Sequence, residues 1–276
     1  MDKLLFGTAG TPNSTPVPPS SIAGIARIAE LGLGCMELEF VRGVHMGKET
    51  ALQVAETAKR LDLKLTAHAP YFINLHSSDP VKIEASRYHI LQTARTASLC
   101  GAASIVFHAG VYEGDTPENV YAVIKKNFED VLKQVRREKI SLWIRPEVMG
   151  KCGQFGTLEE LFNLSNEFEG VLPTIDFAHW HARTGKYNTY KEFAEVLETM
   201  EKKLGRRALD NMHMHISGIK YGAKGELKHL NFDESDFNYR DLVKALKDHE
   251  AKGFAICESP NLETDAVVLR DTYNSL

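Results

Sequence analysis

The feature that most constrains this chain is an alternation. Short apolar runs are separated by longer segments with helical periodicity, eight times from one end to the other. The runs are Leu4–Gly7, Met36–Phe40, Leu63–Ala67, Ser104–Phe107, Leu142–Arg145, Leu172–Ile175, Met212–Ile216 and Phe254–Ile256. Each is dominated by Leu, Ile, Val, Phe or Met, as expected for strands buried on both faces of a parallel sheet. Spread over 276 residues, eight units give about 34 residues each, enough for one strand, one helix and two loops.

Between the runs, 50–61 places Leu52, Ala55, Ala58 and Leu61 on one helical stripe. Helices are likewise predicted over Val120–Val135, Leu158–Phe168, Tyr190–Leu204 and Tyr239–His249. Thr116-Pro117 and Thr157-Leu158-Glu159-Glu160 are start signals, the second a capping-box pattern. The proline-rich stretch Thr11–Ser21 reads as a loop after the first strand, and no composition shift marks a second domain. The expectation is therefore an α/β chain forming one (β/α)8 barrel over residues 1–276, ahead of an open doubly wound sheet. No Gly-x-Gly-x-x-Gly follows the first strand, which argues against a dinucleotide site.

Composition narrows the chemistry. Four cysteines, Cys35, Cys100, Cys152 and Cys257, lie far apart, which disfavours a disulfide framework or a thiolate zinc site. No apolar run reaches the roughly 18 residues of a membrane span, and no signal-peptide pattern opens the chain, so a cytoplasmic location is expected. A formal charge of −4 disfavours a broad basic surface for nucleic acid. Against this ordinary background, 11 histidines stand out.

Their positions matter more than their number. In a (β/α)8 barrel the active site forms at the C-terminal ends of the strands. There the sequence places His68, His108, Glu147 and Asp176 after strands three to six, then His179 in the next loop. His215 ends strand seven, His229 lies in the long loop beyond it, and Glu258 follows strand eight. One such histidine is ordinarily a hydrogen-bonded structural residue, but six successive strand ends carrying ligand types are a poor accident. Imidazoles and carboxylates converging on one low-dielectric mouth are costly unless cations compensate them. A His and carboxylate set without thiolate suits Zn²⁺, Mn²⁺ or Fe²⁺. Eight such residues exceed the needs of one ion, and two or three ions fit better, the usual machinery for hydrolysing phosphate esters.

The segments 68–75 (His-Ala-Pro-Tyr-Phe-Ile-Asn-Leu), Phe107-His108-Ala109-Gly110, Pro146-Glu147, Ile175-Asp176-Phe177-Ala178-His179, His215-Ile216-Ser217 and Glu258-Ser259-Pro260 together resemble the endonuclease IV family of apurinic/apyrimidinic endonucleases, within the wider xylose-isomerase-like group of barrels. The resemblance implies a zinc-dependent hydrolase of DNA repair that cuts 5′ to an abasic site, with abasic DNA as partner. A monomer is expected. It implies a trinuclear site: His68 and His108 on a first ion, Glu147 bridging to a second completed by Asp176, His215 and Glu258, and His179 and His229 on the third. Glu147 would be the catalytic bridge.

Two departures qualify the match. The family has an Asp two residues before the last His, where this chain has Leu227. Glu226, one position further away and longer, is the substitute, or else the third ion is weak or absent. After Glu147 the family often continues with Asn, where Val148 stands here. Tyr71 matches a position beside the abasic site in the family, or it is a rim aromatic. Arg42, Lys48, Lys220 and Lys224 are the loop cations offered to DNA. His181 and His213 are further candidates, His213 being better read as structural. A rival is a one-metal sugar isomerase or epimerase of the same barrel group using Glu147, Asp176, His215 and Glu258, with Glu37 and Glu39 as carboxylates that could serve it. An inactive metal-binding homologue is a third reading.

Overall fold

The computed structural model describes residues 2–276. Eight parallel strands form one curled sheet: β1 (Leu4–Ala9), β2 (Cys35–Glu39), β3 (Lys64–His68), β4 (Ser104–Phe107), β5 (Trp143–Pro146), β6 (Ile175–Asp176), β7 (Met212–Ile216) and β8 (Gly253–Cys257). Neighbours run β5-β4-β3-β2-β1-β8-β7-β6. The two ends of that series meet through parallel bridges Ile144↔Val171 and Glu147↔Thr174. The backbone bonds Val148 N–H to Thr174 O (3.0 Å) and Thr174 N–H to Pro146 O (2.9 Å) complete the junction. The expected (β/α)8 architecture is thus formed.

Helices α1 (Ser21–Glu30), α2 (Lys48–Arg60), α3 (Pro80–Leu99), α4 (Pro117–Arg137), α5 (Leu158–Glu167), α6 (Phe177–Thr184), α7 (Tyr190–Leu204), α8 (Arg206–Leu209), α9 (Tyr239–Asp248) and α10 (Glu263–Ser275) surround the sheet. Their starts follow local chemistry. The Thr116 hydroxyl accepts from Asn119 N–H at 3.3 Å, and Thr157 and Glu160 cap each other reciprocally. The apolar stripe Val120, Ile124, Phe128, Val131 and Val135 of α4 is buried against the sheet, whereas α2 buries Ala51, Val54 and Ala58 and leaves Leu52 of the expected stripe 49% exposed.

Three expectations need correction. The sixth strand is Ile175–Asp176 rather than Leu172–Ile175, because Pro173 has no N–H to give and only single bridges form at Val171 and Thr174. His179 is not in a loop: Asp176 ends β6 and also caps α6, its Oδ1 accepting from His179 N–H at 2.7 Å. The long loop after β7 is an antiparallel hairpin, Gly218–Gly222 paired with Gly225–Leu230, which carries Glu226 and His229.

Candidate metal centre

Strand ends bring the polar side chains together. His68 ends β3, Asp176 ends β6, Glu147 and Glu258 follow β5 and β8 directly, and His215 is the penultimate residue of β7. Parallel pairing sets His215 beside Asp176. His108 follows β4, α6 turns His179 back over the mouth, and the hairpin brings His229 across from the other side.

Glu147 is the hub. Its Oε2 lies 3.2 Å from His68 Nε2 and 3.0 Å from His108 Nε2. Its Oε1 lies 2.9 Å from His215 Nδ1 and 3.5 Å from His179 Nδ1. Four groups of donor atoms, each mutually within 4.8 Å, are present among the described residues: His68, His108 and Glu147; Glu147, Asp176, His215 and Glu258; Asp176, His179 and His229; and, sharing His215, Glu37, His213 and His215. Glu147 belongs to the first two. Asp176 belongs to two groups, where the sequence reading gave it one.

An oxygen acceptor holds one nitrogen of each ring. His68 Nδ1 donates to Ala69 O at 2.7 Å and His229 Nδ1 to Glu258 O at 3.2 Å. His179 Nδ1 donates to Val148 O at 3.1 Å, and His215 Nε2 to Glu37 Oε1 at 2.8 Å. Carbonyl and carboxylate oxygens only accept, so each of these nitrogens carries a hydrogen, and the other ring nitrogen is the one left to proton or metal. The consequence is sharpest where His179 Nε2 and His229 Nε2 face one another at 3.2 Å. Two ring nitrogens at that distance need a proton or a cation between them. Asp176 Oδ2 is buried and has no hydrogen bond, only the His179 ring at 3.2 Å beside it. These donors fit a divalent cation, and their outer hydrogen bonds are of the kind that orients metal ligands.

The electrostatics agree. Burial alone would lower His68 and His179, but Glu147 and Glu39 around the first, and Asp176 and Glu147 around the second, outweigh it and raise them to about 9 and about 10. Burial opposes protonation of His215 as well, yet Glu258, Glu147 and Glu37 hold it well above its usual value. Burial raises Glu147, but His215 and His108 hold it well below the usual carboxylate range. Such a cluster traps positive charge, which protons or metal can supply.

Glu226 reaches the third group: its Oε2 is 3.5 Å from His179 Nε2, and its Oε1 4.0 Å from His229 Nε2. Leu227, at the family's Asp position, is 61% exposed and lies outside the cluster. Tyr71 stacks on His108 with ring centroids 5.2 Å apart and 12° between planes, and its hydroxyl donates to Glu39 at 3.2 Å. Both line a cleft of about 400 Å³ with Glu147, His179, His229 and Glu258, a volume suited to one sugar-phosphate unit. A larger cleft, about 530 Å³ near Trp143 and Leu132, holds no such cluster, so size does not mark the site.

Other candidates fall outside. Arg42 is exposed in the turn after β2, away from that cleft. Lys220 pairs with Lys228 on the hairpin, one step out of register with His229, so strand alternation turns it away from the mouth. His181 bonds Lys186 O. His213 bonds Ser104 beneath the mouth and lies 3.0 Å from Glu37; burial lowers it to about 4, a structural neutral imidazole. Sequence reasoning missed Glu37 as the partner of His215, although the Glu37 and Glu39 pair was visible. It also missed Lys151 and Arg183. The position of Arg183 four residues beyond His179 was the available signal.

A parallel barrel whose strand ends gather histidines and carboxylates around one glutamate defines a class: (β/α)8 proteins with a site at the C-terminal mouth that could hold metal. The sequence profile of the xylose isomerase-like TIM barrel family matches residues 25–273. The chain belongs to that family. An uncharacterized protein of Methanocaldococcus jannaschii is 43% identical over 274 residues, covering 99% of this chain and 98% of that one. The resemblance read from the sequence is borne out: the probable endonuclease 4 of Mycoplasma pneumoniae is 27% identical, with 71% of this chain and 68% of that protein covered. Endonuclease IV from Thermus thermophilus superposes with a TM-score of 0.75 at 17% identity, covering 99% and 100% of the two chains. A D-tagatose 3-epimerase-like protein superposes at 0.72 and 18% identity, over 92% and 94%. At such identities these two structures speak for the fold alone. Among the described residues, no helix is long and apolar enough to cross a membrane.

Proposed function

We propose that this protein is a hydrolase that incises DNA on the 5′ side of an abasic site, leaving a 3′-hydroxyl, with Zn²⁺ as its first cofactor and Mn²⁺ as the substitute. The observation that carries the reading is the surplus of donors. Glu147, Asp176, His215 and Glu258 suffice for one cation, yet His68, His108, His179 and His229 stand around the same centre.

His68, His108 and Glu147 would hold one ion; Glu147, Asp176, His215 and Glu258 a second; His179 and His229, with Asp176 or Glu226, a third. Bound divalent cations supply water of lowered pKa and neutralise phosphoryl oxygens. The chain's own residues do the rest. Glu147 joins the first two groups, Glu37 holds the tautomer of His215, and Tyr71 on His108 offers a flat wall to a nucleotide that has lost its base. Such a nucleotide leaves the duplex at little unstacking cost.

The relatives named probable endonuclease 4 support the reading. One observation favours a second, a sugar isomerase or epimerase: the Glu147, Asp176, His215 and Glu258 tetrad is complete in itself. Incision of a duplex with a single abasic site separates them. The metal-loaded wild type nicks it on the 5′ side, and Glu147→Gln, folded by circular dichroism, does not. Undiminished nicking by the variant, or none by the wild type, rejects the assignment.

A further inference from the structure

Arg183 lies four residues beyond His179 on α6 and so shares the helix face that carries a candidate ligand. Its guanidinium is spent on the backbone of one loop. Nη1 donates to Met149 O at 3.2 Å, Lys151 O at 2.9 Å and Gln154 O at 2.8 Å. Nη2 reaches Cys152 O and the Tyr112 hydroxyl, each at 3.5 Å. The loop therefore wraps a planar fork of donors that resists rearrangement.

Its other edge is joined to the hairpin. Glu226 N–H donates to Gly150 O at 3.0 Å and Cys152 N–H to Lys224 O at 3.1 Å, and Lys151 bridges Gly225. Two glycines permit this approach. A Cβ on Gly150 would meet Glu226 Cβ at 2.7 Å and His179 Cδ2 at 2.9 Å, and one on Gly225, at φ +92°, would meet Gly150 O at 2.1 Å. The segment is pinned from both sides, directly over the third donor group.

The pinned loop presents Lys151. That residue is exposed and is the only Lys or Arg lining the metal-centre cleft. Three carboxylates, Glu147, Glu226 and Glu258, line the same cleft, yet among the described residues Lys151 makes no ion pair. Beside it, Gln154 Oε1 is buried without a hydrogen-bond partner. A cation held on rigid backbone at an acidic mouth and left unpaired is placed for an anion arriving from solvent.

We propose that residues 149–154 form a phosphate clamp, in which Lys151 contacts a non-bridging oxygen of the substrate phosphodiester and Arg183 is the positioning residue that fixes the loop. The clamp rests on the phosphodiesterase reading and adds the group that recognises the phosphate apart from any metal. An uncharged sugar would leave Lys151 without a role.

Wild type, Lys151→Met and Lys151→Arg are compared, all metal-loaded, in two assays. In calorimetric titration with inorganic phosphate, Lys151→Met binds about tenfold or more weakly and Lys151→Arg retains most of the affinity. In abasic-duplex incision, Lys151→Met raises KM by a similar factor with a smaller change in kcat, and the slope of log affinity against log salt falls by about one. Arg183→Lys keeps the charge but loses the fork. It speeds hydrogen exchange at the amides of 150–153 and reproduces the Lys151→Met defect, and the double variant is no worse than either single one. Equal phosphate affinity of Lys151→Met and wild type overturns the clamp, whether or not DNA is cut. If Lys151→Met loses phosphate affinity while the wild type cuts no abasic duplex, the clamp stands and the endonuclease reading falls. Normal exchange and affinity in Arg183→Lys overturn its positioning role.

Discussion

At Glu147 one carboxylate faces four imidazoles between 2.9 and 3.5 Å away, and the balance of charge there depends on what fills the gaps. Without metal, protons do. His68 and His179 keep theirs to about 9 and about 10, against an ordinary value of 6.5. A histidine raised in the folded state stabilises fully below its unfolded pKa, and that contribution is lost as pH climbs through the folded one. The chelator-treated protein should therefore lose thermal stability from about neutral pH to about 10. The zinc-loaded protein should move the other way across neutral pH, because metal no longer competes with protons. Scanning calorimetry of both forms checks this, and parallel pH profiles would contradict it.

Glu37 carries a second residue-scale prediction. It accepts from His215 Nε2 at 2.8 Å and from the Thr66 hydroxyl at 2.7 Å. Glu37→Gln should weaken metal binding about 10- to 100-fold while the fold persists, as read by competition with a chromophoric chelator; an unchanged affinity rejects the role. Six of the eight ligand types were legible from the sequence because each sits at or beside the end of a barrel strand, whereas His179 is carried by α6 and His229 by the hairpin. The partners of those ligands were not, since Glu37 and His215 meet only when the barrel closes through β1 and β8.

At the scale of elements, α6 shows how short structure places chemistry. Asp176 ends a strand and caps the helix, so His179 and Arg183 follow on one face without a loop to blur them. The capping side chain was visible in the sequence, but the proline-interrupted run before it hid where the strand ended. Helices α4, α5, α7 and α9 were legible from their apolar stripes, and α2 was legible as a helix but not in the face it buries. Helices α1, α3 and α10 were not marked, and the hairpin after β7 read as loop because its outer strand alternates Glu226, Leu227, Lys228 and His229 without an apolar face.

β5 carries the least expected element. Arg145 is fully buried inside the barrel, donating to Pro173 O at 3.0 Å and Asn211 O at 2.7 Å. Burial lowers its pKa to about 9, with Glu37 opposing that fall. Arg145→Ala would strip two buried carbonyls of their donor, leave Glu37 less compensated and open a cavity, costing about 3–5 kcal/mol. Urea unfolding monitored by circular dichroism measures it, and a loss under about 1 kcal/mol would contradict this account.

For the whole molecule, the formal charge of −4 counts every histidine as neutral and no metal. Three divalent ions on neutral imidazoles would reverse its sign and concentrate the change at one end of the barrel, where a phosphate would enter. Attraction to DNA would then depend on metal more than on the surface lysines offered from the sequence, of which Lys220 turns outward on the hairpin. Acidic composition and a nucleic-acid substrate are compatible on those terms.

The central claim is that this barrel mouth holds more than one cation, and counting metal tests it most directly. Elemental analysis of protein purified without chelator and reconstituted with zinc should give two or three ions per chain, falling by one in the double variant Glu226→Gln, His229→Ala. A single ion per chain, held by Glu147, Asp176, His215 and Glu258 and unaffected by that variant, would contradict the account and favour sugar chemistry.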